Sequence, residues 1–159
     1  MREIIDAMDF GPLNAAIIRL SRTHRALAVQ MMQEVGLRPD QGALMIHLWS
    51  VGPVRQTALA AHFGRDSAAT TRAVQRLEHA GFLRRRTDPT DGRATLVEPT
   101  EAGNALRPSV ARIWEQLELI TTNGLTSTDL ATALDVVTRL GDTTSAALAG
   151  DPPSSLKDV

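Results

Sequence analysis

Residues 82–98, Phe82-Leu83-Arg84-Arg85-Arg86-Thr87-Asp88-Pro89-Thr90-Asp91-Gly92-Arg93-Ala94-Thr95-Leu96-Val97-Glu98, read as two strands around a tight turn. Proline pre-sets one turn torsion, aspartate binds nearby backbone N–H groups, and glycine tolerates left-handed backbone. The flanks, Phe82 to Arg86 and Ala94 to Glu98, lack turn residues, so the segment is expected to be a β-hairpin. Side chains alternate along a strand, so Arg84, Arg85 and Arg86 are split between its two faces.

Two helices are expected just upstream. One covers about 55–63, with Leu59, Ala60 and Phe63 apolar, and stops at Gly64. The next covers 67–80, with Asp66 as N-cap and Gly81 as its end. Ala69, Ala73, Val74 and Leu77 form its buried side; Ser67, Ala68, Thr71, Arg72, Gln75 and His79 face outward. Helix, glycine turn, helix and hairpin follow the order of a helix-turn-helix, whose second helix enters the major groove of DNA. Small residues at the start of helix 67–80 permit close approach to base edges. Arg72 forks onto a guanine or a phosphate, and Gln75 reads an adenine or a phosphate. Arg76, nearer the flank, has two readings: a phosphate contact or an intramolecular pair. Arg93, just past the hairpin tip, is placed for a minor groove, whose negative potential attracts arginine. Which of Arg84, Arg85 and Arg86 faces DNA stays open, with Arg86 named as the expected contact; the alternative for each is a charged edge strand that resists aggregation.

Outside this centre the pattern is helical. Leu13, Ile17, Leu20, Leu27 and Met31 form one stripe, ending at Gly36. Pro39 opens a second helix to about Ser50, with Leu44, Met45 and Leu48 inward, and Gly52-Pro53 breaks it. Thr100-Glu101-Ala102 opens a long helix whose Leu106, Val110, Ile113, Leu117 and Ile120 make a heptad-like seam. A last helix over 127–148 is capped by Thr126 or Ser127 and carries Leu130, Leu134, Val137 and Leu140. Gly150 to Val159 reads as a frayed tail.

Composition narrows the function. The 159 residues suit one compact domain or one module with helical arms. Net charge is −1, but residues 55–97 carry eight Arg against four acids, and residues 98–159 carry four bases against nine acids. A basic centre inside a nearly neutral chain points to a polyanion site. With no cysteine, disulfides and thiolate metal sites are excluded. No apolar run reaches a membrane span, and the N-terminus lacks a signal-peptide core, so a cytoplasmic protein is expected. His24, His47, His62 and His79 show no metal-ligand spacing, and no phosphate loop, dinucleotide fingerprint or nucleophile elbow is present. Neither metal, cofactor nor enzymatic activity is expected. Aromatic content of 3% argues against base-stacking platforms for single strands.

Asp88-Pro89-Thr90-Asp91-Gly92-Arg93-Ala94-Thr95-Leu96-Val97, followed by Thr100-Glu101-Ala102-Gly103, resembles the wing of the MarR family of regulators. Val74-Gln75-Arg76-Leu77-Glu78 through Gly81 resembles the end of its recognition helix, and Leu59-Ala60-Ala61-His62-Phe63 its first helix-turn-helix segment. Gly36-Leu37-Arg38-Pro39-Asp40-Gln41 is similar to the start of its second helix. The resemblance implies a mainly α, winged helix-turn-helix protein with a small β-hairpin wing. Residues 1–36 and 100–148 become helical dimerisation arms, 37–99 the DNA-binding lobe and 149–159 a flexible tail. It further implies a homodimer on a pseudo-palindromic double-stranded operator, acting as a repressor released by a small, often phenolic, effector. Arg72 takes the recognition-helix arginine, Arg93 the wing arginine, and Asp91 the aspartate that orients it. His24, His47 and Trp49 are the effector-pocket candidates.

Three residues depart from the family pattern. Pro99 stands in place of leucine and should end the second wing strand. Gly92 replaces a common second arginine, and Arg38 replaces the Ser or Thr cap of the second helix, removing about 1 kcal/mol of capping. Two rivals stay open: a ligand-independent regulator on the same fold, and a helical dimer serving as a protein-interaction scaffold.

Overall fold

A computed structural model describes residues 11–63 and 67–150 of the chain. The expected cap Asp66, the expected stop Gly64, and the tail from 151 onward lie outside the described residues. The chain divides into two compact units, one ending at Leu117 and one starting at Glu118.

In the first unit, helix α1 (Pro12–Met32) starts with proline after Gly11 and continues as a short 3-10 turn, Gln33–Val35. Gly36 stops it in the left-handed region at φ 68°, where a side chain would be strained. Helix α2 (Pro39–Val51) follows. The arginine before it cannot accept a capping bond, but half of the capping arrangement survives: the Gln41 side-chain oxygen accepts from the Arg38 N–H at 2.9 Å. The expected capping loss is therefore offset from the other end of the turn.

A two-residue strand, β1 (Val54–Arg55), precedes helix α3 (Gln56–His62). Arg55, expected to begin the helix, is instead in the strand. Helix α4 (Ser67–His79) leads into β2 (Leu83–Asp88) and β3 (Asp91–Pro99). The sheet is antiparallel in the order β1-β3-β2, with Val54 opposite Val97, Arg85 opposite Val97 and Thr87 opposite Thr95. The strands run further into the turn than expected, because Asp88 and Asp91 pair across an irregularity after Thr87. β3 ends at Pro99, as a residue without an N–H donor requires.

The core of this unit gathers one side of each element. Met32, Leu37, Leu44, Met45, Leu48, Leu59, Ala73, Val74, Leu77, Leu83, Val97, Val110 and Ile113 are buried together. Burying such side chains stabilises by roughly 1.5–3 kcal/mol each for the larger ones. On α4 the buried side includes Thr70, while Ala69 is only half-buried, a small rotation from the expected face. Phe63 is exposed rather than part of that core.

The expected single helix from residue 100 is two. A turn, α5 (Glu101–Ala105), breaks at Leu106, and α6 runs Arg107–Thr121. Pro108 explains the break, since it cannot donate a helical bond to the preceding turn. α6 buries Val110, Ile113 and Leu117. In the second unit, α7 (Ser127–Leu148) is capped by Thr126, whose hydroxyl oxygen accepts from the Asp129 N–H at 3.2 Å. The Asp129 carboxylate accepts from the Thr126 hydroxyl at 2.7 Å and from the Thr126 N–H at 3.0 Å; these bonds, the hydroxyl's first, close the capping box and lower the Asp129 pKa.

The wing joins α5 through Thr100. Its hydroxyl donates to the Gly81 carbonyl at 2.6 Å and accepts from the Gly103 N–H at 3.0 Å; its own N–H donates to the Phe82 carbonyl at 3.0 Å. Gly103 is buried so tightly here that an added Cβ would lie 2.1 Å from the Phe82 carbonyl oxygen. Backbone cannot yield as a flexible side chain does. Gly103→Ala should lower unfolding stability by about 1–3 kcal/mol, read as a lower urea midpoint at unchanged slope. An unchanged midpoint would show that this junction is loose.

Candidate nucleic-acid interface

The outer face of α4 carries Ala68, Arg72, Gln75 and His79, all exposed, with Thr71 half-buried beside them. Ser67 begins the helix, but its side chain is outside the described set. The spacing of 68, 72, 75 and 79 keeps these residues on one stripe. Arg76 makes an intramolecular pair: its Nη2 lies 3.3 Å from Asp40 Oδ2 and ties α4 to α2.

The hairpin splits its arginines as alternation requires. Arg84 Nε donates to Glu98 Oε1 at 2.7 Å, and Arg86 Nε donates to Glu98 Oε2 at 2.9 Å. Arg85 points the other way, its Nε 3.3 Å from Glu78 Oε2 on α4, an ion pair without an aligned hydrogen bond. Glu98 is only 8% exposed, and the two guanidiniums hold its carboxyl below the usual pKa, Arg86 contributing most. Arg86 thus carries a structural bond while its side chain remains partly exposed.

The turn is a polar cluster. Asp88, 6% exposed, accepts from the Thr90 N–H at 2.9 Å and the Thr90 hydroxyl at 2.7 Å. The Arg55 guanidinium donates to the same carboxylate at 2.9 Å through Nε, with Nη2 also at 2.9 Å. The Thr90 bonds, then Arg55, pull the Asp88 pKa from 3.8 down to about 2. Asp91 Oδ1 accepts from the Arg93 backbone N–H at 3.2 Å, and its Oδ2 lies 3.6 Å from Arg55 Nη1. A cleft of about 500 Å³ opens between α3, α4 and the wing, lined by Arg55, Gln56, Thr57, Thr71, Asp91 and Arg93 among others. The structure therefore brings Thr71, Asp91 and Arg93 together. Sequence reasoning missed Arg55, Gln56 and Thr57, because only the distant pairing of β1 with β3 brings the start of α3 against the wing.

The effector candidates separate. Trp49 lines a cavity of about 310 Å³ with Ile46, Ser50, Arg107, Ala111 and Trp114. The indole Nε1 atoms of Trp49 and Trp114 are buried without hydrogen-bond partners. A second cavity of about 320 Å³ shares Trp49 and Arg107 and reaches Arg84 and Glu98. His47 instead stacks on His62 with ring centres 3.9 Å apart, both edged by Phe63. Burial, then the neighbouring imidazole, lowers the His47 pKa. His24 is half-buried on α1 and lines none of these cavities. Among the described residues, no group of three His, Asp or Glu could hold a metal, and no helix is long and apolar enough to cross a membrane.

Depressed carboxylate pKa values make stability pH-dependent with a definite sign. Asp88 stabilises the fold while ionised, fully so above about pH 4, and the contribution fades as pH falls towards 2. Unfolding midpoints should therefore drop between pH 4 and 2, and Asp88→Asn should flatten that drop. An equally steep drop in the variant would clear Asp88 of the role.

The MarR family model matches residues 37–95 of the chain. An uncharacterized HTH-type transcriptional regulator of Bacillus subtilis (strain 168), YdgJ, is 30% identical over 87 residues, 55% of this chain and 53% of that protein. The chain thus matches about half the length of that curated relative. A mutant MarR from E. coli, complexed with operator DNA, superposes with a TM-score of 0.74 at 22% identity, covering 81% of this chain and 93% of that one. BpsR of Bordetella bronchiseptica, whose structure concerns regulation of DNA binding by 6-hydroxynicotinic acid, gives a TM-score of 0.77 at 21% identity, with coverage of 85% and 96%. At these identities the two structures share the fold. Over the matched residues the chain carries a winged helix-turn-helix that is similar to the MarR family in sequence and shares its fold.

Proposed function

We propose that this protein is a homodimeric, sequence-specific regulator of transcription that binds double-stranded DNA and is released from it by a small aromatic acid. The observation that carries the reading is the juxtaposition of the α4 stripe with the cleft where Thr71 and Arg93 meet. Ala68, Arg72 and Gln75 read base edges in the major groove, with Ser67 at the helix start, while Arg93 and Arg86 approach the flanking backbone and minor groove. Asp91 fixes the Arg93 backbone. A protein that blocks a promoter this way acts as a repressor.

Dimerisation is supported by apolar surface that a single chain leaves in water. Leu13, Ile17, Ile18 and Leu20 on α1 are exposed, as are Leu119 and Ile120 on α6 and Leu130, Leu134 and Val137 on α7. Such runs on helices mark an interface. Residues 1–36 and 100–148 serve as the dimer arms and 37–99 as the DNA lobe, so the operator is a pseudo-palindrome with half-sites about one helical turn apart.

The effector reading rests on the cavity between α2 and α6. Two buried indole N–H groups without partners are costly. A planar acid offers them acceptors, stacks on the indoles and pairs with Arg107. Binding shifts the protein off DNA only by as much as the ligand prefers the released form.

Selection from fragments of the host genome should enrich one pseudo-palindrome, and the Arg72→Ala/Arg93→Ala double variant should lose it. No enrichment at low salt by a folded dimer would favour the scaffold reading. Both tryptophans of the chain line the proposed effector cavity, so intrinsic fluorescence reports on it directly. Hydroxybenzoate or hydroxynicotinate should quench it at the concentrations that release DNA, and Arg107→Ala should weaken both effects together. Release without quenching would place the effector elsewhere; neither effect would favour the ligand-independent regulator.

A further inference from the structure

Arg55 reaches the wing from outside it. It sits in β1, opposite Leu96 on β3 and directly before α3. Its guanidinium spans the two carboxylates that flank the turn: Asp88 at the end of β2, at 2.9 Å, and Asp91 at the start of β3, at 3.6 Å. Those carboxylates receive the turn's own N–H groups, from Thr90 and Arg93. One side chain therefore links the base of the helix-turn-helix to both halves of the hairpin tip, across 33 positions of sequence.

The chemistry favours a guanidinium in this place. A planar fork can serve two acceptors at a fixed angle, whereas an ammonium is a single point charge. Asp88 is nearly buried, so removing its cationic partner would leave a carboxylate short of compensation and loosen the turn. Arg55 already spends Nε and both terminal nitrogens on the two aspartates, which leaves it poorly placed to grip a phosphate as well.

We infer that Arg55 is a positioning residue: by clamping Asp88 and Asp91 it fixes the wing tip, and so Arg93, against α3 and α4. This rests on the DNA-binding reading above, but its first test needs no DNA. Amide exchange at Thr90 and Arg93 should quicken several-fold in Arg55→Ala and in Arg55→Lys, while the core amides of α2 and α4 stay as in the parent. Unchanged exchange at those two positions would overturn the inference, whatever the protein binds. Core amides that quicken equally would overturn it too, since the loss would then be general unfolding.

The second test is a double-mutant cycle on the duplex recovered by selection. Arg55→Ala should weaken binding by about tenfold when Arg93 is present, the scale expected for lost charge-assisted bonds. In an Arg93→Ala background the same change should cost less than about twofold, because the arginine it positions is gone. Equal losses in both backgrounds would make Arg55 an independent DNA contact and sink the positioning role. If exchange quickens as expected but the parent protein binds no duplex, the DNA reading fails while the clamp on the wing stands.

Discussion

Strand β3 is hydrogen-bonded along both edges, and the lobe is organised around that constraint. One edge receives β2 and makes the wing; the other receives β1 and sets where α3 begins. Its side chains serve two environments. Val97 is fully buried with Leu59, Val74 and Leu83, while Glu98 is gripped by Arg84 and Arg86. Its end at Pro99 hands the chain to Thr100, which staples α5 onto the start of the hairpin. The wing, the helix-turn-helix and α5 are thus fastened to one strand.

The charge of this region is mostly structural. Arg55, Arg76, Arg84, Arg85 and Arg86 each face a carboxylate of the same lobe. Most of these pairs are partly exposed, so each adds little to stability by itself. Their effect is orientation: they decide which cationic side chains point at a neighbour and which project outward. Local excess of arginine marks the region as basic, but the number of arginines overstates the number available to a polyanion.

Features set by near neighbours were legible in the sequence. The hairpin turn, the alternation of the arginine triplet, the stop at Gly36 and the stop at Pro99 follow from residues within a few positions of each other. The cap of α7 was narrowed to two adjacent residues, and Thr126 takes it. Features set by distant partners were not legible. β1 has two residues, too few to show a period, and exists because β3 offers it an edge. The meeting of Arg55 with Asp88, of Trp49 with Trp114 and of His47 with His62 depends on how helices pack, which no local pattern encodes. The break before α6 is a different case. Pro108 stands in the sequence, but the regular seam of Leu106, Val110 and Ile113 runs through it and gives no sign of the break.

On the proposed function, this lobe presents Arg72 and Arg93 to duplex DNA. Affinity for the selected duplex, measured from 50 to 200 mM salt, tests it most directly. Phosphate contacts release counterions, so the logarithm of affinity should fall steeply and linearly with the logarithm of salt, and less steeply once Arg93 is replaced by alanine. An affinity that stays flat across that range, or a slope indifferent to both arginines, would contradict it.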